Sequence, residues 1–278
     1  MYPVLIEIGG LKITSFGVMV ALGIITGAWI GARELRRRGM DGDLAWDLAG
    51  FGAVFGILGA KLYYMILHWD LTLADPGRAL FSRAGLVWYG AFIAGTLACI
   101  WRLKRLKVSV LRVGDALAPG MALGYGVGRI GCFLVGDDWG SPTTLPWGVK
   151  FPIGAPPSTA GNLRAFGEEV PASIPDTEVL AVHPTQLYET GMSLIVFFIL
   201  WRLRPRLATT GMLFYLWLAL AGVERFIVEI FRAKDDRFLG VFSVAQLISV
   251  GLVLIGAWGM SHVARRAHAQ TTPNPAAA

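Results

Sequence analysis

The chain has 278 residues, of which 55% are hydrophobic and only 16% are charged, and its mean hydropathy is +0.57. Soluble domains usually carry about 25% charged residues, so this composition, with its apolar residues in long blocks, excludes an ordinary soluble protein. The net charge of +6 does not indicate a nucleic-acid partner. The basic residues lie at the ends of the apolar blocks, where they would anchor the chain at an anionic membrane surface.

The N-terminal segment MYPVLIEIGGLKITSFG has neither a basic start nor a small-residue cleavage site, so we expect no cleaved signal peptide. Seven apolar blocks approach the roughly 20 residues that are needed to cross a bilayer. These predicted spans are about 14–32, 45–67, 86–103, 111–135, 186–203, 210–231 and 239–262. The sequence therefore predicts an all-α polytopic membrane protein with about seven transmembrane helices.

Lysine and arginine are concentrated after the first, fifth and seventh spans and between the third and fourth. The denser side is expected to be cytoplasmic, which places the N-terminus outside and the C-terminus inside. We predict one integral-membrane domain over residues 1–265. Within it, the proline-containing segment 136–185 is expected to form a small extracytoplasmic head, and the polar tail 266–278 is expected to be disordered.

The sixth predicted span carries charges at helical spacing. Arg225 and Glu229 are four residues apart and share a helix face, which Arg232 extends. These residues could form an ion-pair ladder that only offsets the cost of buried charge. Arg129 and Asp137, however, lie at a similar depth by the outer end of the fourth span. Arginine binds phosphate oxygens bidentately, so this group is also suited to recognise an anionic lipid headgroup.

Two further charges lie inside predicted spans, where ionisable residues are costly and usually functional. Lys61 could pair with an acid on a neighbouring span or face the same substrate cavity. Asp115, which precedes Pro119, is expected to be a structural feature of a helix start.

Polar and aromatic residues also mark the outer ends of two spans. The segment HPTQLYE, residues 183–189, opens the fifth span. His183 and Glu189 suggest catalysis, but Pro184 favours a fixed turn whose polar side chains satisfy backbone groups. Trp88 and Tyr89, at the start of the third span, could form an aromatic belt or contact a headgroup.

Cofactor and metal motifs are missing from the sequence. The four histidines are scattered, and no metal-binding spacing, phosphate loop or dinucleotide fingerprint occurs. We therefore expect neither a metal nor a cofactor. The two cysteines, Cys99 and Cys132, lie in apolar surroundings and do not suggest a disulfide framework.

Four segments together resemble the prolipoprotein diacylglyceryl transferase family. They are GRIGCFLVGDDWG (128–140), LPWGVKFP (145–152), HPTQLYE (183–189) and RFIVEIFR (225–232). Their order and their setting among seven spans are also similar to that family. The resemblance covers most of the chain apart from the termini and the insertion around 153–182.

The resemblance implies a multi-pass enzyme of the bacterial inner membrane. Such enzymes transfer a diacylglyceryl group from phosphatidylglycerol to the lipobox cysteine thiol of a prolipoprotein and release glycerol 1-phosphate. The implied partners are phosphatidylglycerol, lipobox-containing precursors and the lipid bilayer. The alternative is a phospholipid-binding paralogue on the same scaffold, either non-catalytic or with another specificity.

The family's functional positions can be matched residue by residue. Arg129 and Gly131 match its GRxGNFxNxE signature, and both are implied to bind substrate. Arg225 and Glu229 match the catalytic arginine and glutamate of its sixth span. Arg232 matches a further arginine there, with an implied role in binding substrate.

Several matched positions carry a different residue here. Cys132 and Val135 replace the two asparagines of the signature, and Asp137 replaces its glutamate as a catalytic candidate. Tyr89 stands at the position of the family's histidine and is the fourth catalytic candidate, while Phe16 replaces a tyrosine. Cys, Val and Phe do not restore the hydrogen-bonding capacity of the residues that they replace.

Overall fold

The structure is a computed structural model that describes residues 1–9, 11–81, 87–233, 237–238 and 242–271. Its described part is mostly helical. The helices are α1 (Ser15–Arg37), α2 (Asp43–Leu67), α3 (Trp69–Ala74), α4 (Pro76–Phe81), α5 (Trp88–Arg105), α6 (Val110–Val135), α7 (Ala160–Ala165), α8 (Thr185–Leu203), α9 (Met212–Glu229) and α10 (Val244–Thr271). The strands are β1 (Val4–Ile8), β2 (Leu11–Thr14), β3 (Val149–Lys150), β4 (Ala181–Val182), β5 (Arg237–Phe238) and β6 (Phe242–Ser243).

Each predicted span overlaps one of the long helices among the described residues, although the predicted starts at 86 and 239 lie outside those residues. Four helices are long and apolar enough to cross a membrane: Ser15–Arg37, Asp43–Leu67, Val110–Val135 and Val244–Ala269. The other three are shorter or more polar. For example, α5 ends in three basic residues, and α9 carries three charged residues in its last two turns. The chain is therefore a mostly helical protein with the character of a polytopic membrane protein.

The prediction of an all-α fold was incomplete. Three short antiparallel sheets, each with two strands, occur in the described part of the chain. The first pairs Val4–Ile8 with Leu11–Thr14, and Gly9 adopts a positive φ of 54° at the turn. Glycine reaches this conformation at little steric cost, so the run VLIEIGGLKI forms a hairpin before the first helix begins.

The chain divides into two compact units, residues 31–117 and residues 1–30 with 118–278. In the first unit, α2 and α5 approach closely, and a Cβ built on Gly95 would lie 3.1 Å from the carbonyl oxygen of Gly52. Its buried core includes Leu35 and Val113. Asp115 is fully buried and pairs with Arg38 at 3.6 Å, in keeping with a structural role.

In the second unit, glycines allow α1 and α6 to meet backbone to backbone. A Cβ on Gly124 would lie 2.6 Å from the carbonyl oxygen of Gly23, and a Cβ on Gly27 would lie 2.9 Å from that of Gly120. Small residues of this kind allow close helix packing in lipid. Helix α6 ends at Val135. The next residue, Gly136, has a positive φ of 76° and donates its N–H to the carbonyl of Cys132 at 2.8 Å, a usual glycine-terminated helix end.

The segment between α6 and α8 has its own apolar core, formed by Trp139, Phe151, Leu163 and Val182. The indole of Trp139 donates to the carbonyl of Pro156 at 2.9 Å. The segment therefore has a packed core within the second unit, and its location outside the membrane stays a prediction. At the other end of the chain, α10 runs to Thr271, past the predicted start of the tail. Residues 272–278 of that predicted tail lie outside the described residues.

Candidate active site

Six charged side chains in the second unit form a closed set of ion pairs, which we call the arginine–carboxylate ring. Helices α6, α8 and α9 and the two loops that follow α6 and α9 supply its members. They are Arg129, Asp138, Glu189, Arg225, Glu229 and Arg232. Three positive and three negative groups alternate around the ring.

Arg129 is the member of the ring from α6. Its Nε pairs with Glu189 Oε2, and its Nη1 donates to Asp138 Oδ2 at 3.1 Å. The other carboxylate oxygen of Asp138 accepts from Arg232 Nη2 at 2.7 Å. One half of the ring therefore runs from α8 through α6 to the turn after α9.

The other half of the ring lies on α9 and in the turn that follows it. Arg225 Nη2 lies 2.5 Å from Glu229 Oε2, and Arg232 Nε lies 3.7 Å from the same oxygen. Arg225 Nη1 is 3.8 Å from Glu189 Oε1, which closes the ring. The spacing of four residues therefore does place Arg225 and Glu229 on one helix face, whereas Arg232 joins them from the turn after α9.

Burial makes the ring a site of strong electrostatics. The side chains of Glu189 and Glu229 are only 1% and 4% exposed, and that of Arg129 is 11% exposed. Arg129 Nη2 and Arg225 Nη1 are buried and have no hydrogen-bond partner among the described residues. Buried donors without partners are costly, and they are the groups that an anionic ligand would satisfy.

Neighbouring side chains support the ring. Tyr125 donates its hydroxyl hydrogen to Glu189 Oε1 at 3.0 Å. Arg129 Nη1 also lies 3.2 Å from the sulfur of Cys132, which contacts the arginine at the position of the family's asparagine. Glu224, one turn before Glu229, is buried and accepts from Ser193 at 2.5 Å.

The loop after α6 corrects one interpretation of the sequence. The aspartate that holds the arginines is Asp138, whereas Asp137, the candidate selected from the sequence, pairs with no arginine among the described residues. Asp138 has a positive φ of 56°, and Asn and Asp adopt such values more readily than most residues. Burial, and then the adjacent Asp138 charge, raise the pKa of Asp137. Its predicted catalytic role stays a prediction.

The other predicted site residues lie in three places. Gly131 packs against α1, since a Cβ there would lie 2.9 Å from Met19 Cβ, so close packing explains this glycine. Lys61 and Tyr89 belong to the unit of residues 31–117. There Lys61 Nζ lies 5.5 Å from the centre of the Tyr64 ring, and Tyr89 is 46% exposed. The functional roles of Lys61, Tyr89 and Gly131 stay predictions.

Glu189 is a functional candidate that the sequence analysis considered but did not select. The segment HPTQLYE was expected to satisfy backbone groups, and Gln186 does so by donating to the carbonyl of Asp137. Glu189 instead holds two arginines. The available signal was an acid one turn inside an apolar helix, where ionisable residues are usually functional.

His183 and Tyr188 line a separate, mostly apolar pocket of about 360 Å³. The hydroxyl of Tyr188 lies 3.0 Å from His183 Nδ1 and accepts from Trp147 Nε1 at 2.8 Å. Burial lowers the pKa of His183, which favours the neutral imidazole. The pocket and the ring share α9. Ile227 and Val228, which line the pocket, lie between Arg225 and Glu229 in the sequence.

One group in the described residues has donor atoms close enough for a metal ion. Cys132, Asp137 and Asp138 bring a thiol and two carboxylates within 4.8 Å of one another. Asp138 is already shared by two arginines, whose positive charge opposes a cation. The expectation of no metal site stays a prediction.

Known proteins are similar to this chain over most of its length. The model of the family described as "Prolipoprotein diacylglyceryl transferase" matches residues 3–262. A phosphatidylglycerol–prolipoprotein diacylglyceryl transferase of Clostridium tetani is 35% identical over 257 residues, covering 92% of this chain and 95% of the relative. One of Trichormus variabilis is 31% identical, covering 93% and 88%. A transferase numbered 2 in Clostridium perfringens is 33% identical, covering 92% and 93%. The chain therefore belongs to the prolipoprotein diacylglyceryl transferase family.

Proposed function

We propose that this chain transfers the diacylglyceryl group of phosphatidylglycerol to the lipobox cysteine thiol of a prolipoprotein, and that it releases glycerol 1-phosphate. The names of its relatives support the reaction and both classes of substrate. The observation on this chain that carries the proposal is the arginine–carboxylate ring. The alternative of a non-catalytic phospholipid-binding paralogue gains no support from these relatives.

The reaction forms a bond from the thiol sulfur to a carbon of the diacylglyceryl group. It breaks the bond between that carbon and a phosphate oxygen. The phosphate leaves with the electron pair of the broken bond, and a base takes the thiol proton. Two demands follow: the leaving phosphate must be stabilised, and the thiol must be converted to its nucleophilic thiolate.

The arginines meet the first demand. Arg129 on α6, Arg225 on α9 and Arg232 in the turn after α9 belong to one ring. Each of them has a buried N–H group without a hydrogen-bond partner among the described residues. We propose that they bind the phosphate of the headgroup and stabilise the negative charge that grows on it as the bond breaks. Donors fixed in a buried site are effective at this because they need little reorganisation.

Carboxylates meet the second demand. Glu229 lies among the arginines, and Asp137 lies beside Cys132 and Asp138. We propose these two acids as the groups that accept or relay the thiol proton. The raised pKa of Asp137, which burial causes, makes its carboxylate a better proton acceptor. Tyr89, at the family's histidine position, stays a catalytic candidate, and Lys61 and Gly131 stay candidates for substrate binding.

The membrane arrangement belongs to the same proposal. We propose that all seven long helices cross the bacterial inner membrane, with the N-terminus outside, the C-terminus inside and residues 136–185 as the extracytoplasmic head. Four helices already have the required length and apolarity. Arg225 and Glu229 make α9 less apolar, but they pair with each other within the ring. This pairing reduces the cost of placing them in a membrane. We propose one functional domain over residues 1–265.

Complementation tests the proposal. The chain is expressed in cells depleted of their own transferase, together with a secreted reporter that carries a lipobox cysteine. We expect lipid attachment to the reporter to be restored by the parent chain and lost with Arg129→Ala. If the inserted parent chain leaves the reporter unmodified, the proposed reaction is wrong.

A further inference from the structure

Asp138 makes a contact that a phosphate group could also make. Its Oδ1 accepts from Arg232 Nη2 at 2.7 Å, and its Oδ2 accepts from Arg129 Nη1 at 3.1 Å. Two oxygens of one anionic group thus bridge two guanidinium groups from distant parts of the chain. Two non-bridging oxygens of a phosphate have the same charge and hydrogen-bonding capacity.

Of the three acids in the ring, Asp138 is the one that an incoming anion could replace most easily. Its side chain is 32% exposed, whereas those of Glu189 and Glu229 are 1% and 4% exposed. An anion that enters the site would reach this carboxylate more readily than the other two. Moving a partly exposed carboxylate into water costs far less than uncovering a buried one.

The backbone around Asp138 is held by hydrogen bonds that do not use the Asp138 side chain. Thr185 Oγ1 donates to the carbonyl of Asp138 at 2.6 Å, and Gln186 donates to the carbonyl of Asp137. Gly140 N–H donates to the carbonyl of His183 at 2.8 Å. Rotation of the short Asp138 side chain would therefore release two arginines and leave these backbone hydrogen bonds in place.

The charge balance favours such an exchange. With Asp138 in place, three arginines face three carboxylates. If Asp138 left an empty site, Arg129 and Arg232 would each lose a partner, and both side chains are nearly buried, at 11% and 7% exposed. An unpaired buried charge is strongly unfavourable. A bound phosphate with one negative charge would restore the balance.

We propose that Asp138 is an internal competitor for the phosphate group. It occupies Arg129 and Arg232 when the site is empty, rotates away when a phosphate binds, and returns to help displace the phosphate product. This inference rests on the proposed function for the identity of the phosphate, which is that of phosphatidylglycerol or of the released glycerol 1-phosphate. Asp138 is thus a positioning residue that sets phosphate affinity.

Asp138→Asn tests this role because it keeps the shape of the side chain and removes its charge. Binding of two probes is measured on the full chain in neutral detergent: phosphatidylglycerol in mixed micelles, and sn-glycerol 1-phosphate in solution. We expect the variant to bind phosphate more tightly, with Kd lower by about tenfold, the change that loss of one competing ion pair can produce. KM for phosphatidylglycerol should fall, and kcat should fall too because the product leaves more slowly.

Asp176→Asn is the matched control. Asp176 pairs with Arg164 in the same unit, and its side chain is 75% exposed, so both Kd values should stay at the parent value. Asp138→Glu, which restores the charge, should return affinity towards that of the parent. A purely structural role for Asp138 would instead weaken binding in Asp138→Asn.

The two probes separate the sources of phosphate. If Asp138→Asn binds both probes more tightly, Asp138 competes with the lipid headgroup and with the product. If it binds only glycerol 1-phosphate more tightly, Asp138 competes with the product alone. Unchanged or weaker binding of both probes overturns the inference. If the parent transfers lipid normally in that case, only the inference fails. If the parent neither binds phosphate nor transfers lipid, the proposed function fails with it.

Discussion

The guanidinium of Arg129 on α6 pairs with the carboxylate of Glu189 on α8, and these side chains are only 11% and 1% exposed. The pair joins two long helices within one unit. Removing one partner of a buried pair leaves an uncompensated charge in a poorly solvated place. The pair therefore affects both the stability of the fold and the charge of the site.

Glu189→Gln should destabilise the protein because Arg129 and Arg225 lose a shared carboxylate. We expect the free energy of unfolding to fall by roughly 3–5 kcal/mol, as for other broken buried pairs. Denaturant titration in mild detergent measures the change. Asp176→Asn, which breaks an exposed pair, should cost about 0–1 kcal/mol. Equal losses in the two variants would show that the Glu189 pair is not a buried pair of this kind.

Arg129→Ala and Arg225→Ala should each remove donors that hold the leaving phosphate. We expect kcat/KM to fall by about 10²–10³-fold for each variant, in line with the loss of a fixed donor at a developing charge. Arg129→Lys should recover little, because lysine lacks the fork that binds two oxygens. Lipid transfer to a lipobox peptide measures these effects.

The control for the arginine variants is Arg206→Ala, whose side chain is exposed after α8 and takes no part in the ring. Its activity should equal that of the parent. If Arg129→Ala and Arg225→Ala are also as active as the parent, the phosphate site lies elsewhere.

Gly124→Ala should weaken the packing of α1 against α6. Its new Cβ would lie 2.6 Å from the backbone carbonyl oxygen of Gly23, and a backbone atom cannot move aside cheaply. We expect a loss of about 1–3 kcal/mol, typical of overpacking. Gly128→Ala on the same helix is the control, since a Cβ there meets nothing within 4 Å. A Gly128→Ala variant as unstable as Gly124→Ala would contradict the backbone contact.

Asp137→Asn should raise stability in a pH-dependent way. Because burial raises the folded pKa of Asp137 above its ordinary 3.8, the folded state keeps a proton that the unfolded state has released. Stability therefore falls as pH rises from about 3.8 through the folded pKa, and the asparagine variant avoids this loss.

Thermal unfolding of the parent and Asp137→Asn across acidic to neutral pH measures the effect. The gap in Tm should be small at the acidic end and widen in favour of the variant as pH rises. Lipid transfer should fall in the same variant if Asp137 handles the thiol proton. A gap that narrows as pH rises would contradict the sign of the pKa shift.

The sequence predicted the long helices well, because apolar blocks of this length have few alternatives to a helix in a membrane. The pairing of Arg225 with Glu229 was also predictable, since residues four apart lie close together on a helix. These two residues therefore needed no tertiary information, whereas Arg232 joins them from the turn after α9. Their partners needed more, because contacts between helices depend on how each helix is rotated.

Asp138 and Glu189 show what the sequence could not supply. The choice between Asp137 and Asp138 depends on the backbone after Gly136, where a positive φ at Asp138 turns its carboxylate towards the arginines. Glu189 reaches Arg129 only because of where α8 lies beside α6. The first hairpin was missed because VLIEIGGLKI was considered only as a stretch before a span. Its strand-forming residues and glycine turn were a usable signal.

Mass spectrometry of a lipobox peptide tests the central claim most directly. The purified chain is mixed in detergent with phosphatidylglycerol and a synthetic peptide that contains one lipobox cysteine. The account predicts a diacylglyceryl group on the cysteine sulfur and an equal amount of released glycerol 1-phosphate, both lost with Arg129→Ala. An unmodified peptide, under conditions in which a known active transferase modifies it, would contradict the account.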